Sequence, residues 1–131
     1  TCFGTVSDQK ITELIRCSAV LVSTSLYEGF GLSLIEALAC GRPCVAFDAG
    51  AVREVLAPID PSLVVPLRDV PSLVRRVREF LALSPADRMA CGQRYRQSVL
   101  EHYPLSASAA ALGKVYERIR GSALPTYSLS S

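Results

Sequence analysis

Two kinds of apolar pattern alternate along the chain. Residues 19–23, 44–47 and 63–66 are compact apolar runs, partly β-branched, of the length expected for strands buried on both faces of a parallel sheet. Between and after them, apolar residues recur at helical spacing. In 9–17, Ile11, Leu14 and Ile15 share one stripe, and Ser7 and Asp8 just ahead are good N-caps. Residues 32–40 predict a helix ended by Gly41, with Pro43 two residues further on. Residues 51–56 predict a short helix, and 70–83, 85–101 and 105–120 three longer ones. Residues 2–6 read as the end of a short strand. Strands separated by helices imply βαβ units, hence an α/β fold: a Rossmann-like parallel sheet with helices on both faces. One domain over residues 1–121 is expected, followed by a Ser-rich, frayed tail at 122–131.

Composition narrows the functional classes. The chain has 131 residues, half of them hydrophobic, and a net charge of only +2. That is ordinary for a globular domain and leaves no electrostatic footprint for nucleic acid. No apolar run is long enough to span a bilayer, and no cleavable signal is expected from the polar opening. The five cysteines, Cys2, Cys17, Cys40, Cys44 and Cys91, are odd in number and irregularly spaced. This argues for a reducing, cytoplasmic setting and against a disulfide framework. Cys40 and Cys44 alone are close together, without the further pair a tetrahedral zinc site needs, so no metal is expected.

Ligands of open parallel sheets sit beyond the carboxyl ends of the strands. Two loops lie there, residues 24–31 and 48–51. In the first, Gly29 and Gly31 allow close backbone approach to a ligand, and the helix N-terminus that follows suits a phosphate. The helix over 32–40 is so apolar that it is expected to be buried almost all round, interrupted only by Ser33 and Glu36, which share a face. A carboxylate there needs hydrogen-bond donors. No lysine or arginine lies at helical spacing, so the candidates are a ligand's vicinal hydroxyls or a distant cation. Glu28 at the mouth of the loop is a second carboxylate able to hold sugar hydroxyls.

The run Ser25-Leu-Tyr-Glu-Gly-Phe-Gly-Leu-Ser-Leu-Ile-Glu-Ala-Leu-Ala-Cys-Gly-Arg-Pro-Cys-Val-Ala-Phe-Asp resembles the Glu-x7-Glu signature of the retaining glycosyltransferases called group 1 or family 4. Val6-Ser7-Asp8 with the helix after it, and Asp48-Ala-Gly-Ala-Val-Arg-Glu54, are similar to the family's flanking segments. The resemblance covers roughly residues 3–83 well and the later helices more loosely. It implies the carboxyl-terminal, nucleotide-sugar-binding lobe of a two-domain GT-B enzyme. Glu36 would hold the ribose hydroxyls of a nucleotide-diphosphate sugar, and Glu28, as the catalytic carboxylate, the hydroxyls of the transferred sugar. Gly29, Phe30, Gly31, Leu32 and Ser33 would line the donor site, with backbone N–H groups of 30–32 on the sugar and diphosphate. The family implies no cofactor or metal. Missing from the sequence are the acceptor-binding amino-terminal domain, expected in the same or a partner chain, and the upstream basic residues for the diphosphate. Ala51 stands where many relatives have a second glycine. Products would be polysaccharide or lipopolysaccharide components, with peripheral contact at the inner face of the membrane.

Other readings stay open: a non-catalytic lobe serving as a partner subunit or remnant, and an epimerase of the same architecture. His102 is expected to cap or decorate a helix end. Arg75, Arg76 and Arg78 are expected to form a solvated helix face, and Glu54 to belong to the donor site or to support its own helix.

Overall fold

The structure is a computed structural model that describes residues 1–121; the tail expected at 122–131 lies outside the described residues. Helix α1 spans Asp8–Cys17, with the Ser7 side chain accepting from the Lys10 N–H, and strand β1 spans Leu21–Ser23. Helix α2 (Leu32–Ala39), strand β2 (Cys44–Phe47) and helix α3 (Val52–Leu56) follow. A 3-10 turn at Pro61–Leu63 leads into strand β3 (Val64–Val65). Three helices complete the fold: α4 (Val70–Ala82), α5 (Pro85–His102) and α6 (Leu105–Gly121). The sheet is parallel in the order β1-β2-β3, with Leu21 opposite Cys44 and Ala46 opposite Val64. Each crossover is a helix, as parallel pairing demands.

All four residues of β2 are buried, so both faces of the central strand are covered. Its neighbours in the core are Leu34, Ala37 and Leu38 of α2, Val55 and Leu56 of α3, and Leu73 and Phe80 of α4. Burying one such leucine contributes about 1.5–3 kcal/mol. Burial also pushes the Cys44 thiol up to about 12, so it packs as a neutral apolar residue. Capping hydroxyls and carboxylates set the helix starts: Ser7, Asp69 and Ser84 each accept a first-turn N–H, worth about 1 kcal/mol apiece.

The structure departs from the sequence expectation in five places. Residues 2–6 form no strand; Gly4, at φ 61°, turns left-handed and breaks the extended run. Strand β1 pairs only with β2 among the described residues, and Val22 is exposed, so β1 is not covered on both faces. Strand β3 is shortened at both ends, because Leu63 closes the 3-10 turn and Pro66 has no N–H to donate. Helix α2 is open along one face: Leu32 is 66% exposed, and Ser33 and Glu36 are exposed too. Finally, Arg76 is not part of a solvated face. Its guanidinium donates to the Ser62 carbonyl at 3.0 Å, pairs with Glu79 at 2.7 Å and stacks 4.3 Å from the centroid of Phe80.

Arg76 borders a polar cluster that ties α4 and α5 to the 3-10 turn. The nearly inaccessible Tyr95 donates its hydroxyl to Asp60 at 2.7 Å, and Asp60 also accepts from the N–H and hydroxyl of Ser62. Desolvation pushes the Asp60 carboxyl up. The bonds from Ser62 and Tyr95, together with nearby Arg76, outweigh it and hold the carboxyl below the usual aspartate value. A lowered folded-state pKa contributes stability that is complete above the unfolded value and lost as pH falls through the folded one. Chemical denaturation between pH 5 and pH 2 is expected to show a loss of stability below about pH 4 that shrinks in Asp60→Asn. An identical acid slope in wild type and variant would contradict this coupling.

Candidate functional site

The site is built at the carboxyl ends of β1 and β2. Strand β1 delivers the loop 24–31, and Gly31 closes it as the N-cap of α2 at φ 84°, ψ 46°. A side chain at Gly31 would be strained and would meet Leu34 Cδ1 at 2.9 Å. Gly31 is itself buried.

Glu28 is fixed twice. Its side-chain Oε1 accepts the Gly31 N–H at 3.1 Å, and its backbone carbonyl accepts the Ala51 N–H at 3.1 Å. The carboxylate thus sits at the positive end of α2, where a negative charge is favoured. The second loop reinforces this placement. Gly50, at φ 57°, brings its Cα so close to Glu28 that any side chain would overlap the Glu28 carbonyl oxygen. Both loops at the strand ends are therefore one unit. Ala51 has φ −84°, ψ 1°, a conformation open to any residue, so alanine in place of the family's second glycine adds no strain.

Glu36 lies about 7.5 Å further along the axis of α2 than Gly31, by helical rise. It borders a shallow cavity of about 210 Å³ between α1 and α2, shared with Asp8, Ile11 and Thr12. The open face of α2 carries Leu32, Ser33 and Glu36 outward from the glycine loop. Glu36 is exposed, contrary to the sequence expectation, so burial gives no reason for a ligand at this position. What remains is its placement: one exposed acid on the helix that begins at the loop. The structure brings Glu28, Gly29, Phe30, Gly31, Leu32 and Ser33 together around the α2 N-terminus, and sets Glu36 further along the helix. Of the three N–H groups expected to face a ligand, that of Gly31 is already engaged by Glu28.

Two features escaped sequence reasoning. Phe30 meets Tyr103 edge-on, with centroids 6.1 Å apart, so the end of α5 reaches the site loop. Tyr103 is anchored by its hydroxyl on the Val55 carbonyl at 2.8 Å, and burial together with the nearby Glu54 charge raises its pKa. No local signal links positions 30 and 103. Asp48 and Arg53 pair across the second loop at 2.6 Å, an exposed contact worth at most about 1 kcal/mol. His102 is exposed on the last turn of α5, with Nδ1 2.8 Å from the Ser98 carbonyl. Among the described residues, no helix is long and apolar enough to cross a membrane.

Comparison with known proteins shows the family and the fold. The chain matches the family model "Glycosyl transferases group 1" over residues 1–98. It is 35% identical over 118 residues to a lipopolysaccharide core biosynthesis mannosyltransferase of Rhizobium leguminosarum bv. viciae, covering 90% of this chain and 33% of that protein. It is 36% identical over 115 residues to the MMP alpha-(1->4)-mannosyltransferase of Mycolicibacterium hassiacum, covering 86% and 28%. Among solved structures, the sucrose-phosphate synthase of Thermosynechococcus elongatus superposes with a TM-score of 0.82 at 29% identity, over 94% of this chain and 31% of that one. The parallel α/β sheet and this superposition give the chain the Rossmann-like fold of a GT-B glycosyltransferase lobe. The chain belongs to the group 1 glycosyltransferase family. It spans about a third of the length of the curated relatives it matches.

Proposed function

We propose that this chain is the nucleotide-sugar-binding lobe of a retaining glycosyltransferase, which transfers a sugar to a glycan or lipid-linked acceptor held by a second domain. The observation that carries the reading is the arrangement around α2: a carboxylate and backbone N–H groups at its N-terminus, with a second carboxylate further along its open face. In this reading the diphosphate lies at the N-terminus of α2, facing the N–H groups of Leu32 and Ser33, where the helix dipole favours negative charge. Glu36 accepts from the two ribose hydroxyls and Glu28 from hydroxyls of the transferred sugar. Charge develops on the departing diphosphate in an oxocarbenium-like transition state, and fixed dipoles aimed at that charge lower the barrier. Glu28 leaves the Gly31 N–H to make its sugar contacts, which frees a third donor for the ligand. No metal or cofactor has a part in the scheme. The setting proposed is cytoplasmic, at the inner face of the membrane; a role in polysaccharide or lipopolysaccharide synthesis is supported by the names of two relatives, a lipopolysaccharide core biosynthesis mannosyltransferase and an O-antigen chain mannosyltransferase.

Calorimetric titration of the chain with UDP, GDP and ADP tests the reading. One nucleotide is expected to bind selectively, and Glu36→Ala to weaken it by about 1.5–3 kcal/mol, the loss of hydrogen bonds to a charged group. Equal affinity in wild type and variant would sink the assignment of Glu36.

A further inference from the structure

At the other end of the sheet, ahead of β2 and beneath α5, lies a cavity of about 510 Å³. Its position is opposite the glycine loops, since Arg42 precedes β2 while Glu28 and Asp48 follow the carboxyl ends of the strands. Three arginines line it: Arg42, Arg88 and Arg96. Arg88 and Arg96 occupy one stripe of α5 at helical spacing, about 12 Å apart along the axis. The floor is the close approach of the Gly41 and Gly92 backbones. Of the nine lining residues none is acidic. The nearest acid on α5, Asp87, bonds to Ser84 and faces a different groove, beside Arg94 and Tyr95.

The three guanidiniums are only partly used. Arg96 donates to the Ala39 carbonyl at 2.9 Å, and Arg88 to the carbonyls of Leu81 and Leu83. None of the three has a carboxylate within ion-pair distance among the described residues. The Nε atoms of Arg42 and Arg88 are buried with no hydrogen-bond partner, and an unmet donor on a charged group is costly. Three arginines line one cavity without an acid among its lining residues, and guanidinium is the side chain whose forked donors suit phosphate. We propose that this cavity is a binding site for a phosphate group, distinct from the donor site, with Arg42 and Arg88 as its principal donors. The phosphate could arrive free, as inorganic phosphate or a small monoester, or on a phospholipid headgroup.

The test follows the Nε–H resonances of Arg42 and Arg88 in the full chain during titration with inorganic phosphate, against chloride at equal ionic strength. A parallel arm measures co-sedimentation with phosphatidylglycerol or phosphatidylcholine vesicles. Both resonances are expected to shift saturably, and Arg42→Gln to weaken binding by about tenfold or more. Its guanidinium has no hydrogen-bond partner among the described residues, so this variant keeps the fold, which its thermal melt checks. Arg88→Gln serves as the second variant. Saturable phosphate binding identifies the free ligand. Arg42-dependent sedimentation with phosphatidylglycerol alone identifies the headgroup. No binding in either arm, shifts reproduced by chloride, or binding unchanged in Arg42→Gln overturns the proposal.

Discussion

Gly92→Ala will destabilise the protein by about 3 kcal/mol, although helix propensity by itself favours alanine at a helix interior by about 1 kcal/mol. Gly92 is buried in the middle of α5, where a Cβ would overlap the carbonyl oxygen of Gly41. Gly41 has its own constraint: at φ 70° it ends α2 and turns the chain into β2. Neither backbone can retreat easily, because one belongs to a long helix and the other to the turn that sets the register of the central strand. Separating them would open the α2–α5 contact and pull Tyr95 and Val99 out of the core. The measurement is the urea midpoint of Gly92→Ala beside Gly113→Ala. Gly113 lies in α6, where an added Cβ would have nothing within 4 Å, so there propensity acts alone and alanine is expected to stabilise slightly. Two variants with the same sign would refute the close-approach account.

That pair of glycines shows where sequence reading stops. Helix and strand order were legible because they rest on local signals: Ser7 and Ser84 as caps, Gly41 as a terminator, and the unbroken apolar run of 44–47. Gly92 carries no such signal, since the reason for its lack of a side chain lies 51 positions away. The same holds for Phe30 and Tyr103, and for Asp60 and Tyr95. The glycine loop and both glutamates were legible as a motif. The exposure of Glu36 was not, because an almost wholly apolar α2 reads as buried all round. In the fold only Leu34, Ala37 and Leu38 reach the centre of the core, and the other side is left open beside the loop. The missing strand at 2–6 is the converse case. An extended propensity becomes a strand only with a neighbour to complete its ladder; residues 2–6 pair with none among the described residues, and Gly4 within them is left-handed.

Gly50→Ala is the second substitution expected to have a large effect, and it acts on the site. At φ 57° the left-handed conformation costs an alanine about 1–2 kcal/mol. Its methyl would also strike the carbonyl of Glu28, the same oxygen that receives the Ala51 N–H. Relief requires the loop 24–31 to lift away from α3, carrying Glu28 off the N-terminus of α2 and disturbing the face that Phe30 presents to Tyr103. A displacement of about 1 Å in a positioning loop is enough to cost about a hundredfold in rate. On the proposed donor site, transfer by the complete protein is therefore expected to fall by about that factor in Gly50→Ala, with nucleotide affinity reduced less, because Glu36 sits on the helix and not on the loop. Ala51→Gly is the control: its φ of −84° places no demand on glycine, so activity should stay near wild type. A Gly50→Ala enzyme with unchanged transfer would mean that the second loop does not hold Glu28. If instead affinity fell as far as rate, Glu36 would depend on the loop as well, and α2 would have to move with it as one body.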